Sequence, residues 1–192
     1  MKNLKFLFLT LLATSVMVSC SDDDDNPPPP INEEEVITTL RLTLTPQGAG
    51  TIVPIVFLSQ DLDGDGPNPP VVTTSADLSP NTTYSAEVEV LNELETPADD
   101  ITIEVLEEDD EHQFFYVIST GANMTVSYDD SDDDGNPIGV ETTFVTGDAE
   151  TGTLTVTLLH EPDKDAAGVS DGDPANAGGE TDATATFNYE VL

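Results

Sequence analysis

The sequence predicts an all-β protein, an antiparallel β-sandwich of about seven to nine strands with one short helix. Apolar residues recur mainly at every second position, which is the spacing of strands that bury one face. Gly, Pro, Asn and Asp separate the apolar runs, as expected for turns between short strands. Residues 36–192 are enough for one domain with a core, and many short strands joined by turns favour a sandwich.

Nine segments have the strand pattern. Four of them show clear alternation of apolar and polar residues: 40–44, 84–90, 154–158 and 183–191. Five more are short runs rich in β-branched or aromatic residues and bounded by turn residues: 51–59, 71–74, 113–119, 124–128 and 138–145. We expect these segments to form the two sheets of the sandwich.

The segment 97–111 departs from the strand pattern and is predicted to form the short helix. Thr96 is a suitable cap, Pro97 suits the first helical position, and acidic residues follow in the first turn. Ile101 and Val105 then fall on one face, as an amphipathic helix requires. The β-branched run that starts at Ile101 favours a strand, so a strand remains the alternative.

The segment 77–85 contains a corner motif. Leu78, Pro80, Thr82 and Tyr84 follow the pattern Leu-x-Pro-x-Thr-x-Tyr, which resembles the tyrosine corner of fibronectin type III and related immunoglobulin-like domains. The resemblance implies an immunoglobulin-like sandwich. It also implies that the Tyr84 hydroxyl bonds to upstream backbone and fixes a connection between the sheets.

The first 19 residues have the features of a lipoprotein signal peptide. A charged start, Met1–Lys5, precedes an apolar stretch, 6–18, that is too short to span a bilayer. Residues 16–20, Val-Met-Val-Ser-Cys, resemble a lipobox, which implies cleavage before Cys20 and acylation of that residue. Cys20 is the single cysteine, so the chain forms no internal disulfide. The alternative is an uncleaved anchor or an ordinary signal peptide.

Residues 20–35 are predicted to form a tether. Ser21–Asp25 resembles the acidic export signal of Bacteroidetes-type lipoproteins, which implies display on the outer face of the outer membrane. Pro27–Pro30 favours extended polyproline II, and the acids that follow repel one another, so the stretch would hold the domain off the membrane. A merely solvated linker is the alternative. The predicted organisation is signal peptide 1–19, tether 20–35 and sandwich domain 36–192.

The chain is strongly acidic. It has 39 acidic residues against four basic ones, a formal net charge of −35 with neutral histidines. Two of the basic residues lie in the signal, so Arg41 and Lys164 are the basic residues of the remainder. Nucleic acids and anionic lipid head groups are therefore excluded as ligands, whereas cations or a basic partner surface are favoured.

Two acidic loops have the spacing of calcium ligands. The segment 130–141 satisfies the full Asp-x-Asp-x-Asp-Gly-x5-Glu pattern, with the predicted ligands Asp130, Asp132, Asp134 and Glu141. A solvated hairpin turn at its Asp-Gly pair is the alternative. A second loop has the first half of the pattern at Asp61, Asp63 and Asp65, with Val72 where the distal glutamate would stand.

The histidines predict a different kind of site. His112 and His160 are the two histidines of the chain, and both have acidic neighbours. If the segment before His112 is helical, Glu108 lies one turn away and the two side chains share an ion. His160, at the end of a predicted strand, would arrive from the other sheet, and an acid of the long loop 161–181 would complete a zinc or copper site. The alternative is two unrelated surface histidines.

Several features together resemble a family of small, acidic flavobacterial surface lipoproteins: the lipobox, the acidic tether, the Asp-Gly loops and the segments 110–116 and 159–165. Members are sometimes labelled "type 1 periplasmic binding fold". That label implies repeated βαβ units, but this chain lacks helical periodicity between strands and has about half the length required. The resemblance therefore implies a cell-surface setting and no catalytic residues.

We expect a non-enzymatic binding module, because Cys20 is used for lipid and the chain has neither a His-Glu-x-x-His motif nor a glycine-rich phosphate loop. The expected role is capture of a cation or metal complex for a TonB-dependent receptor of the outer membrane. The alternative is a structural or adhesive β-sandwich, or a glycan-binding one that uses Phe114, Phe115 and Tyr116. These aromatic residues also suit the core face of a strand.

Overall fold

Alternation of buried and exposed side chains along the strands builds two antiparallel sheets. The computed structural model describes residues 35–48, 52–64 and 66–192, so Cys20, the predicted signal, the tether up to residue 34 and Asp65 lie outside the described residues. The elements are β1 (Thr39–Pro46), β2 (Ile55–Gln60), β3 (Val71–Thr74), β4 (Thr83–Asn92), β5 (Asp99–Asp100), α1 (Thr102–Glu107), β6 (His112–Ile118), β7 (Thr125–Tyr128), β8 (Glu141–Val145), β9 (Glu150–His160) and β10 (Glu180–Val191).

The strands confirm the predicted fold class. The larger sheet has the order β3-β2-β1-β4-β8-β7, with the short β5 also pairing with β4, and the smaller sheet has the order β10-β9-β6. Pairing between the named strands is antiparallel throughout. Each of the nine segments predicted as strands overlaps an observed strand, and the two-residue β5 is the addition.

Inward-facing side chains of both sheets form one hydrophobic core. Leu42, Phe57 and Val88 of the larger sheet are fully buried, as are Phe114 and Phe187 of the smaller sheet. Phe57 and Phe187 meet edge to face across the sandwich, with ring centroids 5.5 Å apart. The apolar face of each strand is thus the core face, which is why period-two spacing predicted the strands.

Tyr84 lies at a corner between the sheets, as its motif predicted. The residue is 1% exposed, and its hydroxyl oxygen accepts a hydrogen bond from the backbone amide of Ser79 at 2.8 Å. Next to this contact, Leu78 pairs with Val191 of β10 through a parallel bridge. The connection before β4 is therefore tied to the smaller sheet.

The predicted helix exists but has different bounds. Asp99 and Asp100 pair with β4 as a short strand, so α1 begins only at Thr102 and its cap position is Ile101 rather than Thr96. The helix ends at Glu107, and the chain reaches β6 at residue 112. The prediction of a helix over 97–111 was therefore wrong at both ends, although Val105 is buried as expected. Among the described residues, no helix has the length and apolar character needed to cross a membrane.

Candidate metal centre

The two histidines of the chain lie side by side at one end of the smaller sheet. β6 begins at His112, β9 ends at His160, and the antiparallel register places these residues directly opposite each other. Their imidazole rings stack, with centroids 4.4 Å apart and an angle of 24° between the planes. Both residues are buried, with 0% and 5% of their surface exposed. The structure thus brings together the pair that the sequence analysis named, from one sheet rather than two.

A β-bulge in β10 adds Asp182 to the histidine pair. The residues on either side of Asp182 pair with consecutive residues of β9, Leu159 and Leu158, so Asp182 is the extra residue. Such a bulge redirects a side chain relative to regular alternation. The Asp182 side chain is 6% exposed, and its oxygens lie 3.9 Å from Nε2 of His112 and 3.9 Å from Nδ1 of His160.

Glu35 completes the group from a different part of the chain. It precedes β1 of the larger sheet, yet Oε1 lies 3.3 Å from Nε2 of His112 and Oε2 lies 3.8 Å from Nδ1 of His160. One ligand atom from each of Glu35, His112, His160 and Asp182 lies within 4.8 Å of the others. We call these four residues the inner cluster.

The spacing within the inner cluster fits a tetrahedral metal ion. With metal–ligand bonds of about 2.0 to 2.1 Å, the ligand atoms of a tetrahedral zinc site lie about 3.4 Å apart. The nitrogen–oxygen separations here run from 3.3 to 3.9 Å over both oxygens of each carboxylate, and one ligand atom from each residue lies within 4.8 Å of the others, so the side chains would move closer together around such an ion. Two imidazole nitrogens and two carboxylate oxygens are donors that borderline divalent ions accept, and the two negative charges would balance such an ion.

Acceptors behind the imidazole rings favour the ring forms that a metal requires. Nδ1 of His112 lies 3.2 Å from the backbone carbonyl oxygen of Glu108 and donates its proton there. Nε2 of His112, which faces the inner-cluster carboxylates, is then the nitrogen that remains to bind a metal. On the far side of His160, Nε2 lies 3.7 Å from a carboxylate oxygen of Glu111, and Nδ1 is the nitrogen that faces the inner-cluster carboxylates.

Polar atoms of the inner cluster are buried without hydrogen-bond partners. Within the described ranges five side-chain atoms have this property, and three of them are Oε2 of Glu35, Nε2 of His112 and Oδ2 of Asp182. Buried polar atoms are nearly always hydrogen-bonded in folded proteins, so the concentration of three such atoms at one point makes the inner cluster a candidate ligand site. Burial, followed by the negative charge of Glu35, raises the pKa of Asp182 to about 6. Both observations are what a site that could hold a cation would show.

Three exposed glutamates surround the inner cluster, and we call them the glutamate rim: Glu104, Glu108 and Glu111. Ligand atoms of Glu108 and Glu111 lie within 4.8 Å of a His160 nitrogen, and those of Glu104 and Glu108 lie equally close to Glu35. Burial, then the charges of Glu35 and Glu108, raise the pKa of Glu104. The predicted ligand Glu108 therefore lies in the rim, because the helix ends before it, and its carbonyl rather than its carboxylate contacts His112.

A cleft beside the inner cluster reaches the second predicted calcium loop. The cleft has a volume of about 550 Å³, and its lining includes both inner-cluster carboxylates together with Asp61 and Asp63. Oδ2 of Asp63 accepts a hydrogen bond from the Asn68 side chain at 2.6 Å, and this bond is the main cause of the lowered pKa of Asp63. Asp65, the third predicted ligand, lies outside the described residues. Asp61 and Asp63 thus add negative charge to the cleft.

The predicted calcium loop 130–141 uses its carboxylates differently. Asp130 accepts hydrogen bonds from two backbone amides, at 2.7 and 2.8 Å, and Asp132 accepts two more, at 2.8 and 3.1 Å. In the part of the chain that the structure describes, none of the groups with converging ligand atoms includes Asp130, Asp132, Asp134 or Glu141. The structure therefore does not gather these four residues around one point.

Lys164 provides this loop with a cation from the protein itself. Its ammonium group donates to Oδ2 of Asp132 at 3.1 Å, to the carbonyl oxygen of Pro137 at 3.2 Å and to that of Asp109. The Lys164 and Asp132 side chains are 5% and 2% exposed. Burial alone would raise the pKa of Asp132, but hydrogen bonds from Asn136 and Lys164 hold it below its usual range. Calcium binding at this loop stays a prediction, and the present contacts are those of a structural ion pair.

The aromatic residues named for glycan binding are buried. Phe114 and Tyr116 belong to the main core, and Phe115 packs with Leu159 and Val169 in a smaller cluster beneath the loop that follows β9. Phe114 and Phe115 are 0% exposed and Tyr116 is 8% exposed. These rings are therefore not available to stack on a sugar.

A Gly-x-Ser-x-Gly pattern occurs at 168–172, but its surroundings differ from those of a nucleophile elbow. The pattern lies in a 3-10 turn, Val169–Asp171, within the loop between β9 and β10. An elbow requires a strand that leads directly into a helix. Ser170 is therefore not a candidate nucleophile.

Two inner-cluster residues were absent from the sequence prediction. Glu35 was assigned to the tether, and Asp182 lies one residue beyond the loop in which an acidic ligand was expected. The available signal for Asp182 was an acid directly before the alternating run 183–191, where a register change is needed to bury it. Glu35 had no comparable signal, because it ends a run of three glutamates.

Comparisons of the chain with models of protein families, with curated proteins and with solved structures found no match.

Proposed function

We propose that this protein binds one borderline divalent transition-metal ion, zinc or copper, through the inner cluster. One observation carries this proposal: a buried imidazole nitrogen of His112 and one buried carboxylate oxygen each of Glu35 and Asp182 lie in one cluster and have no hydrogen-bond partners. The backbone carbonyl of Glu108 supports it, because this acceptor behind His112 orients the ring as a ligand.

The donor set selects the class of metal. Calcium and magnesium prefer an all-oxygen shell, whereas imidazole suits zinc, copper, nickel and iron. Two nitrogens and two oxygens near tetrahedral spacing favour zinc, and copper should bind more tightly to the same atoms by the usual order of affinities. The cleft that reaches Glu35 and Asp182 leaves one side of the ion open to exchange.

The proposed setting is the outer face of a bacterial outer membrane. Acylated Cys20 would anchor the chain, and the acidic tether 20–35 would hold the domain in the medium. There the negative field of the glutamate rim would speed encounter with cations. We propose that the captured ion is passed to a TonB-dependent receptor, and that the protein acts by binding and not by catalysis.

Titration of the purified, chelator-stripped protein with zinc and with copper tests this proposal. We expect one tight binding event per chain, which both His112→Ala and His160→Ala abolish. Glu107→Gln is the matched control, since this exposed glutamate lies on α1 near the rim but belongs to no group with converging ligand atoms among the described residues. Tight binding that survives either histidine substitution contradicts a shared site.

If neither metal binds, the structural or adhesive sandwich is the function that remains.

Acidification gives a second criterion for the metal-binding proposal. Ligands must be deprotonated to bind a metal, so affinity should fall as the pH is lowered through about 6, where the Asp182 carboxyl takes up a proton. Affinity that is unchanged between neutral and mildly acidic pH would place the metal elsewhere.

A further inference from the structure

Glu35 is the one member of the inner cluster that lies outside the smaller sheet. The other three belong to β6, β9 and β10, whereas Glu35 stands just before β1, which begins at Thr39. In the sequence it is the last residue of the acidic, proline-rich segment 20–35. A metal ion in the inner cluster would therefore join the smaller sheet to the point at which the chain enters the domain.

Few contacts hold the backbone around Glu35. Along the described chain from Glu35 onward, the first backbone hydrogen bond is donated by the Thr38 amide to the Leu91 carbonyl, at 2.9 Å. Val36 is 51% exposed, and Ile37 is only partly buried against the core. The attachments of this segment ahead of Thr38 are thus the Glu35 side chain, 5% exposed, and the partly buried Ile37.

Electrostatic repulsion opposes that attachment when no cation is bound. The Glu35 and Asp182 side chains are both buried, and the charge of Glu35 is one cause of the raised pKa of Asp182. Two carboxylates with oxygens within 4.8 Å of each other repel, whereas a divalent cation between them attracts both. Occupancy by an ion therefore reverses the sign of the force on the segment that carries Glu35.

We propose that the bound ion acts as a clasp that fixes residues 35–38 against the smaller sheet. The inference rests on the proposed function, because Glu35 is assigned as a ligand of the same ion. When the ion leaves, the segment detaches up to and including Thr38. The four released residues, 35–38, add up to about 13 Å to the reach of the chain that connects the domain to its proposed N-terminal anchor. Binding of the ion would thus shorten the chain segment between the domain and its proposed N-terminal anchor.

Hydrogen–deuterium exchange of the purified protein tests the clasp, with zinc binding measured on the same samples. The probe is the Thr38 amide, which exchanges only when the segment leaves Leu91. Glu35 contacts the ion only when the segment is closed. Loss of even an outer contact to a metal ligand lowers metal affinity at least about tenfold, so saturating zinc should disfavour opening, and slow exchange at Thr38, by at least about tenfold. Because coupling is reciprocal, Glu35→Gln should weaken zinc binding by a comparable factor.

Variants separate failure of the clasp from failure of the site. In Glu35→Gln, zinc at saturating concentration should still slow amides of β9 and β10 near His160 and Asp182, but no longer that of Thr38. Glu107→Gln should behave as the wild type. Zinc binding that leaves wild-type Thr38 exchange unchanged overturns the clasp and keeps the site. No zinc binding by the wild type overturns the proposed function and the clasp with it.

Discussion

Two acidic regions of this protein are similar in composition and differ in what their carboxylates contact. The loop 130–141 has the full calcium-motif spacing, yet Asp130 and Asp132 accept hydrogen bonds from backbone amides, and Asp132 also pairs with Lys164. The inner cluster has no motif spacing, yet it contains three buried polar atoms without partners. The density of acidic residues is thus similar in the two regions, whereas among the described residues of these two regions unsatisfied buried atoms occur only in the inner cluster, which is why we propose the metal site there.

The buried aspartates of the two regions, Asp132 and Asp182, have pKa values shifted in opposite directions. Hydrogen bonds and Lys164 outweigh burial at Asp132 and lower its pKa, whereas burial and Glu35 raise the pKa of Asp182 to about 6. Asp132 has a cation provided by the fold, and Asp182 faces another carboxylate. Removal of the internal cation from one region, or addition of an external cation to the other, should therefore change the stability of the protein.

Lys164→Met should cause the largest change, a loss of about 3 to 5 kcal/mol of unfolding free energy. It removes the partner of the Asp132 carboxylate, which is 2% exposed and cannot be rehydrated in place. Urea unfolding at neutral pH measures the loss. Arg41→Met is the control: Arg41 pairs with Glu89 and both side chains are 37% exposed, so about 0 to 1 kcal/mol is expected. Equal losses in the two variants would contradict a structural role for the Lys164 pair.

Zinc should give the next largest effect. At 100 times its dissociation constant, an ion that binds only the folded state adds about 2.7 kcal/mol of stability. We expect this gain in thermal melts of chelator-stripped wild type and its absence in His160→Ala. Asp130→Asn, in the other acidic region, should retain the gain in full. A gain in stability that persists in His160→Ala but disappears in Asp130→Asn would place the zinc in the loop 130–141 rather than in the inner cluster.

The fold was more predictable from the sequence than the candidate site. Period-two spacing follows from burial of one strand face, so the strands at 84–90 and 154–158 were found from local pattern alone. The helix was placed too early, because the pairing of Asp99 and Asp100 with β4 is a tertiary interaction that overrides a good cap and an N-terminal proline.

The site was predictable only in part, since its members come from four separate segments. His112 and His160 stood out because histidine is rare in the chain. Their exact opposition depends on the register of β6 and β9, which sequence does not specify. Asp182 enters through a bulge, and Glu35 enters from outside the predicted domain boundary, so neither position follows from local spacing.

Asp182→Asn should stabilise the metal-free protein at neutral pH by about 1 to 2 kcal/mol, less than the full pKa shift implies because the cleft admits water. The folded-state pKa of about 6 lies above the ordinary value of 3.8, so the folded protein holds the extra proton between about pH 4 and 6. Stability from this group is therefore present below that window and is lost as the pH rises through it.

Denaturant unfolding in the presence of chelator, at pH 4 and at pH 7, measures this difference. The asparagine variant should show a smaller decline between the two pH values than the wild type, and it should no longer bind zinc tightly. Asp110→Asn, at an exposed position, is the control and should follow the wild type. If Asp182→Asn has the same pH dependence as the wild type, the Asp182 carboxyl is not the group whose raised pKa destabilises the metal-free protein at neutral pH.

Calcium should have the smallest effect, and it tests whether the loop 130–141 binds a metal ion. Because the oxygens of Asp130 and Asp132 already accept amide hydrogen bonds and the Lys164 ammonium occupies the cationic position, millimolar calcium should leave the melting temperature of stripped wild type unchanged. Magnesium at equal ionic strength is the control for screening. A rise with calcium alone that Asp134→Asn and Glu141→Gln both remove would restore the calcium loop. It would also show that backbone hydrogen bonds to a carboxylate do not prevent it from binding a metal.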